Sequence, residues 1–486
     1  MPMMLSKSKY TAGLQCVKRL WLEVHKPGLK HYDDWQLARF EQGTDIGVQA
    51  QELFPGGVLI SEDHRHIPEA MLSTRKAVKD GAKILFEPAA EFGRVMARAD
   101  VLVNNGGKWD MVEVKSVTSI KEYQFQDMAI QRWIFEGAGF KMGKSILCHI
   151  DREYVRHGDI EWPKFFKMTD ITRDVRRLMP GIAKQVQTFL EVADGKKAPD
   201  IPIGSRCDTP YGCPFKDHCW KGMPEDNVFT LCGSSAVAER LYHEGIIRIT
   251  DIPAGTKLGK NQRIQVEAAK TGKKIWKDAE VRNFVEKIEY PIQFLDFEAE
   301  NPRIPLYDGT FSGQKIAFQY SMHIVEKPGA EPIHHEFLAD GKSDPRKALA
   351  DSLAGVLRDK GSVVAYWAAY EKDVLDGLSV LFPEHGELFR SAIRRMQDLI
   401  IPFYRRHIVY PEFQGSASLK VVLPAMIPGM TYDGMEVGDG EAAVRAYQKM
   451  RDERTPKEEA EKIRKDLLAY CCQDTMAMVK LFEVLK

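Results

Sequence analysis

The sequence predicts a mixed α/β or α+β protein of more than one domain, and three observations carry that reading. Short apolar runs with strand-like alternation, such as "RVMARADVLV" and "YPIQFLDFE", are interleaved with longer stretches of helical period, such as "SIKEYQFQDMAIQRWIF". At 486 residues the chain exceeds what one hydrophobic core usually serves. Turn-forming residues cluster at "ADGKKAPDIPIGSRCDTPYGCPF" (193–215) and "IPAGTKLGKNQ" (252–262). These breaks divide the chain into an N-terminal domain at 1–225, a helical connector at 226–288 and a C-terminal domain at 289–486.

Composition narrows the class. A hydrophobic content of 44% with 28% charged residues is ordinary for a soluble globular protein. No apolar run approaches the roughly eighteen residues of a membrane span, and "MPMMLSKSKYTAGLQC" lacks the apolar centre of a signal peptide. A cytoplasmic protein is expected. Formal net charge is zero, yet residues 252–288 hold nine Lys or Arg against four acids. This basic island reads either as a solvated helix face or as a surface that follows phosphates.

In the N-terminal domain, "RVMARADVLV" and "KWDMVEVKSV" read as two strands joined by the turn signal "NNGG". With Asn105 to Lys108 as a four-residue loop, Asn104 faces Trp109 and Asp100 faces Glu113. Alternation puts Lys115 on the face of Glu113. A cross-strand ion cluster on a solvated face would give this pattern too. The acids, however, interrupt apolar runs, and an amphipathic helix comes next. Paired carboxylates can hold a divalent cation, and an adjacent Lys can stabilise developing negative charge.

Asp100, the Glu113-Val-Lys115 triplet, and Gln131 with an aromatic four residues on (Phe135) resemble the PD-(D/E)XK nucleases. Within them the pattern resembles the RecB-like branch and its Q-x3-Y helix. The resemblance implies that Asp100 and Glu113 are metal ligands, that Lys115 assists the attacking water, and that Gln131 supports the site. Phe135 stands where relatives carry Tyr, and no His lies between His31 and His64, where many relatives place an early ligand. Glu41 or Asp45 is a guess at its substitute.

Eight cysteines in a cytosolic chain do not suggest disulfides. Cys207, Cys213 and Cys219 form a C-x5-C-x5-C run in "CDTPYGCPFKDHC", and Cys16 lies near the start. Metal ligation is expected, with zinc the default for four thiolates. The arrangement also resembles the iron–sulfur RecB-like nucleases, which implies a [4Fe–4S] cluster stapling the two ends of the domain. Cys148, Cys232, Cys471 and Cys472 read as small core residues.

In the C-terminal domain, "FLDFEAE" sets Asp296 and Glu298 two apart on a strand, so both face one way. "SVVAYWAAYEKDVL" brings Glu371 to the start of a helix, and "DLLAYCCQDTMAMVKLF" puts Tyr470 and Asp474 four apart on another. In this order they resemble the DEDD exonucleases of the RNase H-like fold, in the subclass marked by Y-x3-D. The resemblance implies that Asp296, Glu298, Glu371 and Asp474 hold two Mg²⁺ or Mn²⁺ ions and that Tyr470 orients the water. Relatives read N-x2-F-D where this chain has "WAAYE", with Trp367 for Asn and Glu371 for Asp. Asp373 is a fallback that would point away from Glu371, Asp398 matches a secondary acid, and Lys420 is a candidate phosphate contact.

The connector resembles a helix-hairpin-helix unit, and the whole order is similar to the family catalogued as domain of unknown function 2779. The expected function is that of a two-site nuclease acting on nucleic acid, DNA ahead of RNA, with 3′-end trimming by the C-terminal domain. One active site beside a binding platform, or a non-catalytic binding scaffold, are the alternatives.

Overall fold

The computed structural model describes residues 3–63 and 65–486. It is a mixed α/β protein, α+β in layout, that divides into two units. Unit 1 is Met1–Gly222 with Pro302–Gly313, and unit 2 is Met223–Asn301 with Gln314–Lys486. None of the helices is long and apolar enough to cross a membrane, among the described residues.

In unit 1, two short helices near the start, α1 (Lys7–Gln15) and α2 (Val17–His25), are followed by α3 (Asp34–Ala50). Asp33 caps α3 by accepting from the Gln36 N–H at 2.7 Å. A six-stranded mixed sheet runs in the order β1 (Val58–Leu59), β2 (Ile84–Phe86), β3 (Val101–Asn105), β4 (Lys108–Lys115), β5 (Met142–Ile150) and β6 (Phe166–Asp170). Helix α4 (Glu122–Gly137) joins β4 to β5, which pair in parallel, as a crossover requires.

Helix α5 (Thr172–Asp194) buries Val175, Ile182, Val186, Phe189 and Leu190, a stripe at helical spacing. Each contributes roughly 1.5–3 kcal/mol of apolar burial. Phe189 lies so close to α1 that a side chain at Gly13 would meet its ring at 2.8 Å. Any larger residue there would force the Phe189 ring to shift.

Residues 302–313 join unit 1 from far along the chain. Arg156 donates to the carbonyls of Pro305 (3.0 Å) and Leu306 (2.7 Å). Val155 bridges to Phe311, and Ile304 packs on the cluster around Phe165.

Unit 2 begins with the segment read as a connector. Helices α6 (Ser235–His243), α7 (Lys260–Thr271) and α8 (Asp278–Val285) form there, and a small core of Val228, Leu241, Ile249, Ile252 and Val266 holds the first two. Its main sheet has β7 (Ile292–Glu300) at the centre. β8 (Ile316–Val325) and then β9 (Ile333–Leu338) lie antiparallel on one side. β10 (Val363–Ala365) and β11 (Met396–Asp398) lie parallel on the other.

Around this sheet pack α9 (Arg346–Val356), α10 (Ala369–Leu381), α11 (Pro383–Arg395), α12 (Leu419–Met426), α13 (Gly440–Arg451) and the long α14 (Lys457–Leu485). Strand β7 is buried along nearly its whole length, as a central strand covered on both faces must be. Glu298 and Glu300 are therefore held away from water, and Asp296 is the one partly exposed position.

Candidate functional site

Each unit contains one buried group of acids. In unit 1 the hairpin geometry comes first. Gly106 and Gly107 both take positive φ (59° and 83°), so the turn needs only two residues and pairing starts at Asn105–Lys108. The four-residue loop is thereby corrected, because two consecutive glycines supply the left-handed pair that the tightest hairpin demands. The register is the same either way, and Asn104 faces Trp109.

Asp100 precedes β3 and its Oδ2 accepts from the Val114 N–H at 2.6 Å. Glu113, 2% exposed, accepts from Gln131 Nε2 (2.7 Å), Lys115 Nζ (2.7 Å) and Lys7 Nζ (3.0 Å). Lys115 and Lys7 also reach Asp127, at 2.8 and 3.5 Å. Burial works to raise Glu113, but Lys115 and Lys7 outweigh it and hold the carboxyl well below its usual range. Burial, reinforced by Glu113, pushes Asp100 up to about 7. Burial works against both ammonium groups, yet Asp127 and Glu113 keep them charged.

Lys7 and Asp127 escaped the sequence reading. Asp127 sits four residues before Gln131 on α4, so the helical period could have found it. Lys7 comes from the other end of the unit and has no local signal. Phe135 is fully buried against Phe140 and belongs to the core. Glu41 and Asp45 are exposed on α3.

Cys16, Cys207, Cys213 and Cys219 line one small pocket with Leu22 and Phe215. Cys16 falls at the break between α1 and α2. Gln15 ties that break to the cysteine loop by donating to the carbonyls of Arg206 and Tyr211, both at 2.8 Å. Burial pushes the Cys213 thiol up to about 11 and raises Cys219 as well. Lys18 and Arg19 also border the cavity.

In unit 2, Asp296 and Glu298 on β7 meet Asp474 on α14, and one carboxylate oxygen from each lies within 4.8 Å of the others. Asp474 accepts from the Tyr432 hydroxyl at 2.5 Å and also from Tyr470. Burial and mutual repulsion raise Asp296 and Glu298 well above the carboxylate range, and burial pushes Asp474 up to about 6. Lys420 offsets part of this, although its Nζ is also bound to the Gly438 carbonyl.

Glu371 is 3% exposed in the first turn of α10, raised by burial and by Asp296. Its Oε2 has no hydrogen-bond partner among the described residues. Glu300, by contrast, is neutralised by Arg451. Asp373 is exposed and paired with Lys315 at 2.9 Å, turned away as expected. Asp398 serves the backbone, accepting from Trp367 N–H (2.9 Å) and Ile400 N–H (3.2 Å).

Of the two α14 cysteines read as core residues, Cys471 is buried as expected, although its thiol meets an acid, and Cys472 is not. The Cys471 thiol, fully buried, donates to Asp296 Oδ2 at 3.3 Å. Cys472 is only partly buried and lies 3.9 Å from His334 Nδ1. Cys148 is buried as expected, and Cys232 is partly buried.

The fold and its sites thus define a two-unit α/β protein with a buried acid cluster in each unit. Residues 293–418 match the family model described as Domain of unknown function (DUF2779). That span carries Asp296, Glu298 and Glu371 and ends before Tyr470 and Asp474. No curated protein matches the chain. A solved structure titled "Crystal structure of SSO0001" is similar over 36% of this chain and 93% of that one, at 13% identity and a TM-score of 0.17. A score that low carries no fold assignment.

Proposed function

We propose that the chain is a metal-dependent nuclease with a phosphodiester-cleaving site in each unit, acting on DNA. One observation carries the reading most. Asp296, Glu298 and Asp474 converge in a buried cluster that Lys420 only partly offsets, with the unpartnered Glu371 oxygen raised by the same acids. Buried charge of one sign is costly, and a divalent cation with oxygen ligands relieves it.

Asp296, Glu298, Glu371 and Asp474 would hold Mg²⁺ or Mn²⁺, which supplies Lewis acidity toward a phosphoryl oxygen. The Tyr470 hydroxyl, kept neutral by burial, is bound to Asp474 and would orient the attacking water beside it. Water forms a bond to phosphorus, the bond to the departing 3′ or 5′ oxygen breaks, and the proton passes to that oxygen. In this reading unit 2 trims ends, the 3′ end first.

In unit 1, Asp100 and Glu113 would take the cation, Gln131 fixes one oxygen of Glu113, and Lys115 stabilises charge at phosphorus. A second reading is favoured by a specific observation. Glu113 is already neutralised by Lys115 and Lys7, so unit 1 has less need of a cation and fits a platform for the phosphate backbone.

The four cysteines suit a [4Fe–4S] cluster. A tetrahedral zinc holds its sulfurs about 3.8 Å apart. Among the described residues, none of the sets of ligand atoms lying within 4.8 Å of one another includes these thiols. Four thiols around one pocket, set wider than zinc requires, favour the larger group as a structural staple.

The test is cleavage of end-labelled single- and double-stranded DNA with Mg²⁺ or Mn²⁺, comparing the wild type with Lys115→Ala and Asp296→Ala. Loss of a different product pattern in each variant supports two working sites. Loss only in Asp296→Ala supports the platform reading. Unchanged cleavage in both would reject the assignment.

A further inference from the structure

A second cluster in unit 2 is unused by the reading above. His323 on β8 and His334 on β9 are directly opposite one another, with rings stacked at 4.4 Å. Cys472 on α14 completes a group in which one donor atom from each residue lies within 4.8 Å of the other two. The Cys472 Sγ to His334 Nδ1 separation is 3.9 Å.

The hydroxyls around this group admit one proton assignment that leaves a nitrogen free on each ring. Thr475 Oγ1 reaches the helix carbonyl of Cys472 at 3.1 Å, to which it donates its one proton. With its proton on that carbonyl it can accept from both His323 Nδ1 (2.8 Å) and Ser321 Oγ (2.7 Å). Ser321, having given its proton, accepts from His334 Nε2 (3.0 Å). This proton assignment satisfies every member of the chain. It leaves lone pairs on His323 Nε2 and His334 Nδ1, the second of them beside the Cys472 sulfur. A ring N–H donated to a neighbouring acceptor, with the other nitrogen bare, is how metal-binding histidines are held.

We propose that His323, His334 and Cys472 form a binding site for a borderline-soft divalent cation of the zinc class, distinct from the acid cluster. Two imidazoles and a thiolate select Zn²⁺ or Co²⁺ over Mg²⁺, which prefers oxygen. Tetrahedral zinc sets such donors about 3.4–3.6 Å apart, so the group closes when one imidazole rotates out of the stack and brings its lone pair to the shared ion. Binding releases the thiol proton to solvent. His334 is 28% exposed, which gives the ion a way in. Three protein ligands leave a fourth position for water.

The ligands come from two strands and from α14. Cys472 is one residue from Cys471, which touches Asp296, and Thr475 follows Asp474. An ion here would clamp to the sheet the helix that carries the acid cluster's third ligand.

The test is a Co²⁺ titration of the full chain in excess Mg²⁺, following bound cobalt per chain and the thiolate-to-cobalt charge-transfer band. Because Cys16, Cys207, Cys213 and Cys219 also offer sulfur, the readout is the difference between proteins. Wild type and Cys471→Ser should each bind one more cobalt than Cys472→Ser or His334→Ala, and Cys472→Ser should lose the matching share of the band. Zn²⁺ should raise the melting temperature of wild type above that of Cys472→Ser, which keeps nearly the same volume and guards against a folding failure of His334→Ala. Equal stoichiometry and equal band in wild type and a folded Cys472→Ser would overturn the site. So would displacement of the extra ion by Mg²⁺, which would assign it to the carboxylates.

Discussion

In unit 1, Glu113 is surrounded by partners. Two ammonium groups and an amide converge on it, and the carboxyl stays charged although 2% exposed. In unit 2, Asp296, Glu298 and Asp474 face chiefly one another, and all three are raised. Both groups put acids on apolar strands, with Asp474 added from α14, yet one group carries its own counter-charge and the other awaits one. A buried acid alone therefore says little about metal demand, and what decides it is whether cations from the chain reach it. Lys7 makes the difference in unit 1, and Arg451 does the same for Glu300 within unit 2.

The contrast can be broken most sharply at Asp474. Asp474→Asn removes a proposed ligand and should lower end trimming about a thousandfold, the equivalent of roughly 4 kcal/mol of transition-state stabilisation. Steady-state rates on labelled ends measure this. An effect under tenfold would mean that Asp474 is structural.

Next in size is Lys115→Ala, for which cleavage by unit 1 should fall about a hundredfold, while Lys7 keeps Glu113 paired and the fold intact. The double variant with Lys7→Ala should destabilise unit 1 by more than the sum of the singles in denaturant titrations. Additive losses would show that the two lysines do not share a load.

Glu298→Gln should stabilise the cation-free protein by roughly 1–3 kcal/mol, because it removes one of several like charges from a buried site. The same variant should lose the Mg²⁺-dependent rise in melting temperature. A destabilised variant would contradict the repulsion on which the contrast rests.

The smallest effect is in pH. Asp474 is raised to about 6 from an ordinary value of 3.8, so its folded form holds a proton that the unfolded chain releases. Its contribution is fully present below 3.8 and is lost as pH rises toward 6. Without divalent cations, unit 2 should melt several degrees lower at pH 6.5 than at pH 4.5, and Mg²⁺ should flatten that slope. Glu113 runs oppositely. Its folded value is depressed, so its contribution is present above 4.5 and is lost as pH falls below it.

Much of this was legible in the sequence where the period is short. Strand alternation paired Asp296 with Glu298 and set Glu113 beside Lys115, and helical spacing put Tyr470 and Asp474 on one face. Even the turn length error left the hairpin register intact, since both readings keep Asn104 opposite Trp109. What stayed hidden depends on long-range placement. Lys7 lies 106 residues from Glu113 in the chain, and no local period links them. Cys472 looked like core because its neighbours are apolar, but β8 and β9 bring two histidines to it. Residues 302–313 gave no sign of leaving the C-terminal sequence for unit 1.

That last segment imposes an order in time. During synthesis an N-terminal domain ordinarily finishes before the next begins, but unit 1 reaches Gly222 and must still wait for Pro302–Gly313. At about 5–20 residues per second the ribosome needs roughly 5–20 s to deliver that last piece. Through that interval Arg156 lacks its carbonyl acceptors and the cluster around Phe165 lacks Ile304. The nascent chain therefore passes through a stage in which one apolar margin is open to chaperones, and the closing of that margin reports that more than 300 residues have been made.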